Sequence, residues 1–162
     1  RASVYGNLNV MFPMISRLEQ VRQIKEIVSG LKAELDAEGI AYSDSIQFGI
    51  MVETPAAAVM SDVLAKEVDF FSLGTNDLTQ YTMAVDRMNA RVSDLFDSAD
   101  PAILRLIELT AKNAHDAGIW VGICGESAAN TALTDFYMSV GIDELSVSPS
   151  SVAAVKRAVL ES

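Results

Sequence analysis

The sequence predicts an α/β fold, about five βα units forming the C-terminal portion of a (β/α)8 TIM barrel, and three observations carry that prediction. Five short β-rich runs alternate with helical patterns along the whole chain, and strict alternation of this kind makes right-handed βαβ units and a parallel sheet. The runs are nearly continuous in apolar residues, as strands covered on both faces are. Polar side chains follow run after run, which is where the βα loops of a barrel assemble an active site.

The first strand is expected over Asn9–Met14 (NVMFPM). Ser16 with Glu19 reads as a capping box, and Leu18, Val21, Ile24, Val28, Leu31 and Leu35 recur at spacings of three and four until Gly39 stops the helix. The second strand is expected over Ile46–Val52 and the third over Val68–Leu73. Thr54-Pro55 and Asp100-Pro101 each set a capping side chain before a proline at the first helical position, and Gly118 closes the second of these helices. Strands over Ile119–Cys124 and Glu144–Ser148 follow, and a last helix runs from Ser151 with Val152, Val155 and Val159 on one face. Tyr42–Ser45 and Met88–Ala99 are the expected loops. Met11, Met14 and Met51 are expected to fill the barrel interior.

An open doubly wound sheet would gather its ligand residues at one switch point, usually behind a Gly-rich phosphate turn, and no such turn is present. A closed barrel needs eight units and about 250 residues. Three units are therefore expected before Arg1, and residues 1–162 read as one partial domain. A net charge of −10 disfavours nucleic acid as a partner. No apolar run approaches the roughly 20 residues that cross a bilayer, and no basic-then-apolar leader opens the sequence, so no membrane insertion and a cytoplasmic location are expected. Cys124 is the single cysteine and can form no internal disulfide.

Glu53 directly follows an apolar strand, and Asp77 stands just past the end of the next. A carboxylate there is costly to bury unless it is paired or binds a cation. Strand ends of a barrel face one ligand space, so the two can share Mg²⁺, which is commonly held by one or two carboxylates plus substrate phosphate. Each alone could instead cap a helix, and Glu53 could bond a lysine. Asn76, at a helix N-terminus, and Arg87, a rigid fork of donors, suit an anionic oxygen; Arg87 could equally pair with Asp86. Cys124, at a strand end, is either a small buried hydrophobe or chemistry. Glu126 could orient it, reach the metal, or cap a helix. His115 reads as a solvated residue near a helix C-terminus, without a catalytic role.

The strings NVMFPM, GIMVETPAAA, AKEVDFFSLGTNDLTQYTMAVDR, GICGE and GIDELSVSPSSV cover nearly the whole chain and together resemble the phosphoenolpyruvate-binding barrel of the Enzyme I family of the bacterial phosphoenolpyruvate:sugar phosphotransferase system. The resemblance implies an enzyme of sugar transport that moves a phosphoryl group from phosphoenolpyruvate to a protein histidine, leaving pyruvate. By resemblance, Glu53 and Asp77 match its Mg²⁺ ligands, and Asn76, Asp77 and Arg87 its substrate-binding residues. Cys124 matches a cysteine that protonates the enolate. The resemblance also implies an N-terminal phosphohistidine domain, the histidine phosphocarrier protein as partner, and a homodimer. Those parts and the arginines of the first barrel strands have no counterpart in this sequence, so the chain alone is expected to be inactive. Ser127 and Asn130 depart from the family's pattern, and Asn130 for aspartate removes a charge. Pyruvate phosphate dikinase and phosphoenolpyruvate synthase barrels carry similar elements. Two rivals stand beside this reading: a Mg²⁺-dependent 2-oxo-acid lyase or aldolase, and a non-catalytic module that self-associates through open sheet edges.

Overall fold

A computed structural model describes residues 1–162. Five strands, β1 (Asn9–Phe12), β2 (Gln47–Val52), β3 (Phe70–Gly74), β4 (Trp120–Cys124) and β5 (Glu144–Ser146), pair in parallel in the order β1-β2-β3-β4-β5. Spatial order follows chain order, so every crossover advances by one strand. That is the winding of a barrel, and a doubly wound sheet would reverse at its switch point. The helices between the strands are α1 (Leu18–Ala37), α2 (Pro55–Val59), α3 (Ser61–Leu64), α4 (Thr75–Thr82), α5 (Pro101–Asp116), α6 (Thr134–Ser139) and α7 (Val152–Glu161).

Strand parity divides the sheet into two faces. Ile50, Val52, Phe71, Leu73, Val121 and Ile123 point toward the helices and join a buried cluster with Val21, Ile103, Ile107 and Ala111. Burying each such aliphatic side chain contributes about 1.5–3 kcal/mol, so this layer is the main source of cohesion. The alternate positions, Met51, Phe70, Ser72, Trp120, Gly122 and Cys124, share the opposite face, the one a closed barrel would turn inward. Phe70 and Trp120 stack there at 4.4 Å with 5° between their planes. The Phe70 ring occupies the space a side chain at Gly49 would take, 2.6 Å from the ideal Cβ position. Trp120 Nε1 donates to Gln47 Oε1 at 3.0 Å, which satisfies the one polar group of that apolar patch.

The proline-led caps form as the sequence requires. Thr54 Oγ1 accepts from the Ala57 N–H at 3.1 Å and Asp100 Oδ1 from the Ala102 N–H at 2.8 Å. Gly39 and Gly118, at φ of +66° and +76°, follow α1 and α5. Several expectations need correction. β3 starts at Phe70 rather than Val68 and runs on to Gly74. β1 stops at Phe12 rather than Met14, because Pro13 lacks an N–H and Met14 turns to φ +57°. β5 ends at Ser146, two residues early, where the hydroxyls of Ser148, Ser150 and Ser151 hydrogen-bond one another instead of continuing a ladder. At the start of α1, Gln20 rather than Glu19 reaches back, its Oε1 accepting from the N–H groups of Ser16 and Arg17 at 2.8 and 3.0 Å. The stripe on α1 is buried only at its beginning: Val21 is buried and Leu31 is 53% exposed, since the 20-residue helix outruns a four-residue strand.

Candidate functional site

Glu53, Asn76, Asp77, Arg87 and Cys124 all lie at the carboxyl end of the sheet, on the last residue of a strand or in the segment that follows it. Glu53 sits one residue past β2 and is 3% exposed. Its Oε1 accepts the Met14 N–H at 2.7 Å. Burial is the chief influence raising its carboxyl above the usual carboxylate range; the Met14 hydrogen bond opposes it, and the charge of Asp77 adds to it. A cation beside Glu53 would offset both its burial and the neighbouring charge of Asp77.

α4 begins at Thr75, directly on the end of β3, and this places Asn76 and Asp77 in its first turn over the strand ends. The close approach requires glycine at position 74. An ideal Cβ there would stand 2.8 Å from Glu53 Cβ, 2.9 Å from Glu53 Oε2 and 2.9 Å from Met51 Sδ. Gly125, at φ +113°, does the same on the other side of α4: a Cβ would fall 2.7 Å from Thr75 Oγ1 and 3.3 Å from Asn76 Oδ1.

Asn76 has a fixed orientation. Its Oδ1 accepts the Glu126 N–H at 3.2 Å, so the amide NH₂ is left to face a ligand. Asn76, Arg87, Met88, Ser93, Phe96 and Glu126 line a cavity of about 540 Å³. The Asp86–Arg87 ion pair allowed by the sequence does not form: Asp86 Oδ1 accepts the Met88 N–H at 2.9 Å, and Arg87 is exposed and takes part in none of the salt bridges. Its guanidinium is available to an anion.

Cys124 ends β4 on the same face as Ser72. The Ser72 hydroxyl donates to Cys124 Sγ at 3.4 Å, and the thiol is 3.5 Å from the Leu73 carbonyl oxygen, to which it can donate. Burial raises the thiol above its ordinary range; the Ser72 hydrogen bond opposes this and the charges of Glu53 and Glu144 reinforce it. Its surroundings therefore favour the thiol over the thiolate. Cys124 is equipped to give a proton and poorly equipped to act as a thiolate nucleophile.

Beneath the site, Ser127 Oγ donates to Thr75 Oγ1 at 2.7 Å and Thr75 Oγ1 donates to the Cys124 carbonyl at 3.2 Å. This chain of hydroxyls ties the start of α4 to the end of β4, and it uses Ser127, a position that departs from the family pattern. Asn130 acts as a cap, accepting from the Ala132 N–H at 3.1 Å. His115 lies at the opposite end of the sheet, 3.5 Å from Asp143, whose carboxylate also accepts the Val121 N–H at 2.9 Å. Met14, expected as interior filling, is 47% exposed in the turn after β1, and its backbone makes the contact that counts. Ser72 and Thr75 were recognisable as hydroxyls at the end of an otherwise apolar strand; the Met14 N–H has no sequence signal.

Glu53 and Asp77 fit a hard divalent cation. Glu53 Oε2 remains after Oε1 has bonded Met14, and both groups offer oxygen. No third His, Cys, Asp or Glu joins them, and Mg²⁺ needs only one or two carboxylates when a substrate phosphate completes its shell.

The family model described as PEP-utilising enzyme, PEP-binding domain, where PEP is phosphoenolpyruvate, matches residues 1–162. The chain belongs to this family. Among curated proteins, the phosphoenolpyruvate-protein phosphotransferase of Listeria monocytogenes is 53% identical over 152 residues, 94% of this chain and 27% of that protein. The PEP-binding domain described above thus spans about a quarter of the length of the curated relatives it matches. Among solved structures, a citrate lyase from Burkholderia xenovorans superposes with a TM-score of 0.65 at 20% identity, over 93% of this chain and 48% of that one. A HpcH/HpaI aldolase/citrate lyase family protein from Burkholderia cenocepacia gives 0.62 at 16% identity, over 99% and 66%. At such identities these two neighbours share the fold of the PEP-binding domain, a partial parallel barrel, and nothing more is taken from them. No helix of the domain is long and apolar enough to cross a membrane.

Proposed function

We propose that this PEP-binding domain works within a longer chain as the substrate site for Mg²⁺-dependent phosphoryl transfer from PEP to a protein histidine, the entry step of a sugar phosphotransferase system. The observation that carries the reading is the meeting of buried Glu53 with Asp77 beside Asn76 and the free guanidinium of Arg87. Oxygen ligands for a hard cation and donors for a phosphate lie at one end of one sheet, and the named curated relatives support the assignment.

Glu53 and Asp77 would hold Mg²⁺, which when bound would neutralise charge on the phosphoryl oxygens. The Asn76 amide and the Arg87 guanidinium donate to those oxygens and align the group for in-line transfer. The bond between phosphorus and the enol oxygen breaks as one forms to the histidine nitrogen, and the electron pair passes to the enolate of pyruvate. The Cys124 thiol gives its proton to the methylene carbon, the Ser72 hydroxyl stabilises the resulting thiolate, and the thiol is restored from solvent. The histidine and the contact with the carrier protein belong to the remainder of the longer chain, and the intact protein works as a homodimer.

The test is phosphoryl transfer from PEP in the full-length protein carrying this domain. Glu53→Gln and Asp77→Asn should abolish the Mg²⁺-dependent rate, and Arg87→Lys should raise the KM for PEP while metal affinity holds. Full transfer by either carboxylate variant would rule the reading out. Carbon-carbon cleavage of a 2-oxo acid in its place would establish the lyase alternative.

A further inference from the structure

The turn from Pro13 to Ser16 contains one of only two non-glycine residues with positive φ, Met14 at +57°. A methionine in this region is strained, and such strain persists only where surrounding structure enforces it. The enforcing contacts are visible. Ile15 is buried at 4% exposure, and its carbonyl accepts the Thr54 hydroxyl at 2.9 Å. The Met14 N–H meets Glu53 Oε1 2.7 Å away. β1 has already ended at Phe12, so this N–H has no ladder partner to lose. Glu53 and Thr54, adjacent in sequence, therefore grip adjacent residues of the neighbouring strand's exit turn, one through a backbone N–H and the other through a backbone carbonyl.

The geometry points to Met14 as a positioning residue for the metal-binding carboxylate: its backbone N–H fixes Glu53 Oε1 and leaves Oε2 as the oxygen for the cation. Oε2 lies against Gly74, the residue that caps α4 with Asp77 in its first turn. Without the N–H the carboxylate could rotate, and either oxygen could turn away from Asp77. The Met14 side chain is half-exposed and takes no part in this. The inference rests on Glu53 being a metal ligand.

The test is Mn²⁺ affinity, read by electron paramagnetic resonance on the full-length protein carrying this domain. Replacing the residue 14 amide by an ester, through the α-hydroxy analogue of methionine, deletes the donor with little steric change. Affinity should fall about 10- to 100-fold, as it does when a group orienting a ligand is lost. Met14→Gly keeps the N–H, allows φ +57° without strain, and should hold affinity within about threefold while raising Tm by roughly 2–4 °C. Wild-type affinity in the ester would overturn the positioning role, and so would an equal loss in Met14→Gly. Glu53→Gln separates the two levels: unchanged Mn²⁺ binding there would overturn the metal site itself, whereas lost binding there with an unaffected ester would remove only Met14. Should the ester not fold, exchange of the Met14 amide decides. It should be protected in the wild type and faster in Glu53→Ala, and equal rates would refute the contact.

Discussion

Replacing Glu53 by glutamine removes a charge from a position that is 3% exposed while preserving the shape and the acceptor that Met14 bonds. With no cation present, that charge faces Asp77, and burial and Asp77 both disfavour its ionised form. An imperfectly compensated buried charge costs on the order of 1–3 kcal/mol, so Glu53→Gln should stabilise the metal-free domain by about 1–2 kcal/mol, roughly 2–8 °C in Tm for a chain of this size. The pH dependence has a definite sign. The folded-state pKa of Glu53 lies above its unfolded value, so its contribution to stability is most favourable below the unfolded pKa and is lost as pH rises through the folded one. The advantage of Glu53→Gln should therefore be smallest near pH 4 and larger at pH 8. Mg²⁺ should reverse the ranking: at 100 times Kd it adds about 2.7 kcal/mol to the wild type and nothing to the variant. Thermal unfolding by circular dichroism at both pH values, with EDTA and with Mg²⁺, checks each step. A lower Tm for Glu53→Gln in EDTA at pH 8, or equal stabilisation of both proteins by Mg²⁺, would refute the reasoning.

Other consequences are separable from this one. Cys124→Ser in the full-length protein should lower pyruvate formation by on the order of 10²- to 10⁴-fold and leave Mg²⁺ affinity unchanged, because a thiol is not a ligand for a hard cation; an unchanged rate would return Cys124 to packing. Ser72→Ala removes the hydroxyl 3.4 Å from that sulfur and should push the thiol pKa further up. Alkylation of Cys124 by iodoacetamide as a function of pH would show it, and an unmoved profile would contradict the contact. Gly74→Ala places a methyl group 2.8–2.9 Å from Glu53 and Met51, with an expected loss of about 1–3 kcal/mol in denaturant unfolding and of Mg²⁺ binding together. Full Mg²⁺ affinity in that variant would show that the space above residue 74 is not needed.

The strands were legible because parallel strands buried on both faces leave continuous apolar runs, and the proline-led caps because a side-chain acceptor before proline has few other uses. Glu53, Asp77 and Cys124 could be singled out as candidates because a polar residue at the end of an apolar strand has to be explained. What escaped was set by backbone geometry and packing. Pro13 in NVMFPM removes one ladder hydrogen bond and so hints at the end of β1, but nothing there says that Met14 turns left-handed. The exposure of Leu31 depends on α1 being longer than the strand beneath it, and helical periodicity carries no information about that. Ser127 could be seen to depart from the family pattern, yet its bond to Thr75 exists only because α4 starts beside the end of β4.

The central claim is that Glu53, Asp77, Asn76 and Arg87 form a single site in which a divalent cation and the phosphate of PEP lie together. Broadening of the phosphorus-31 resonance of PEP by Mn²⁺ bound to the full-length protein measures that proximity. Strong broadening is predicted in the wild type, with loss in Asp77→Asn through loss of the metal and in Arg87→Ala through loss of the phosphate. Broadening that survives both substitutions, or a wild-type protein that binds Mn²⁺ and PEP without any, would contradict the account.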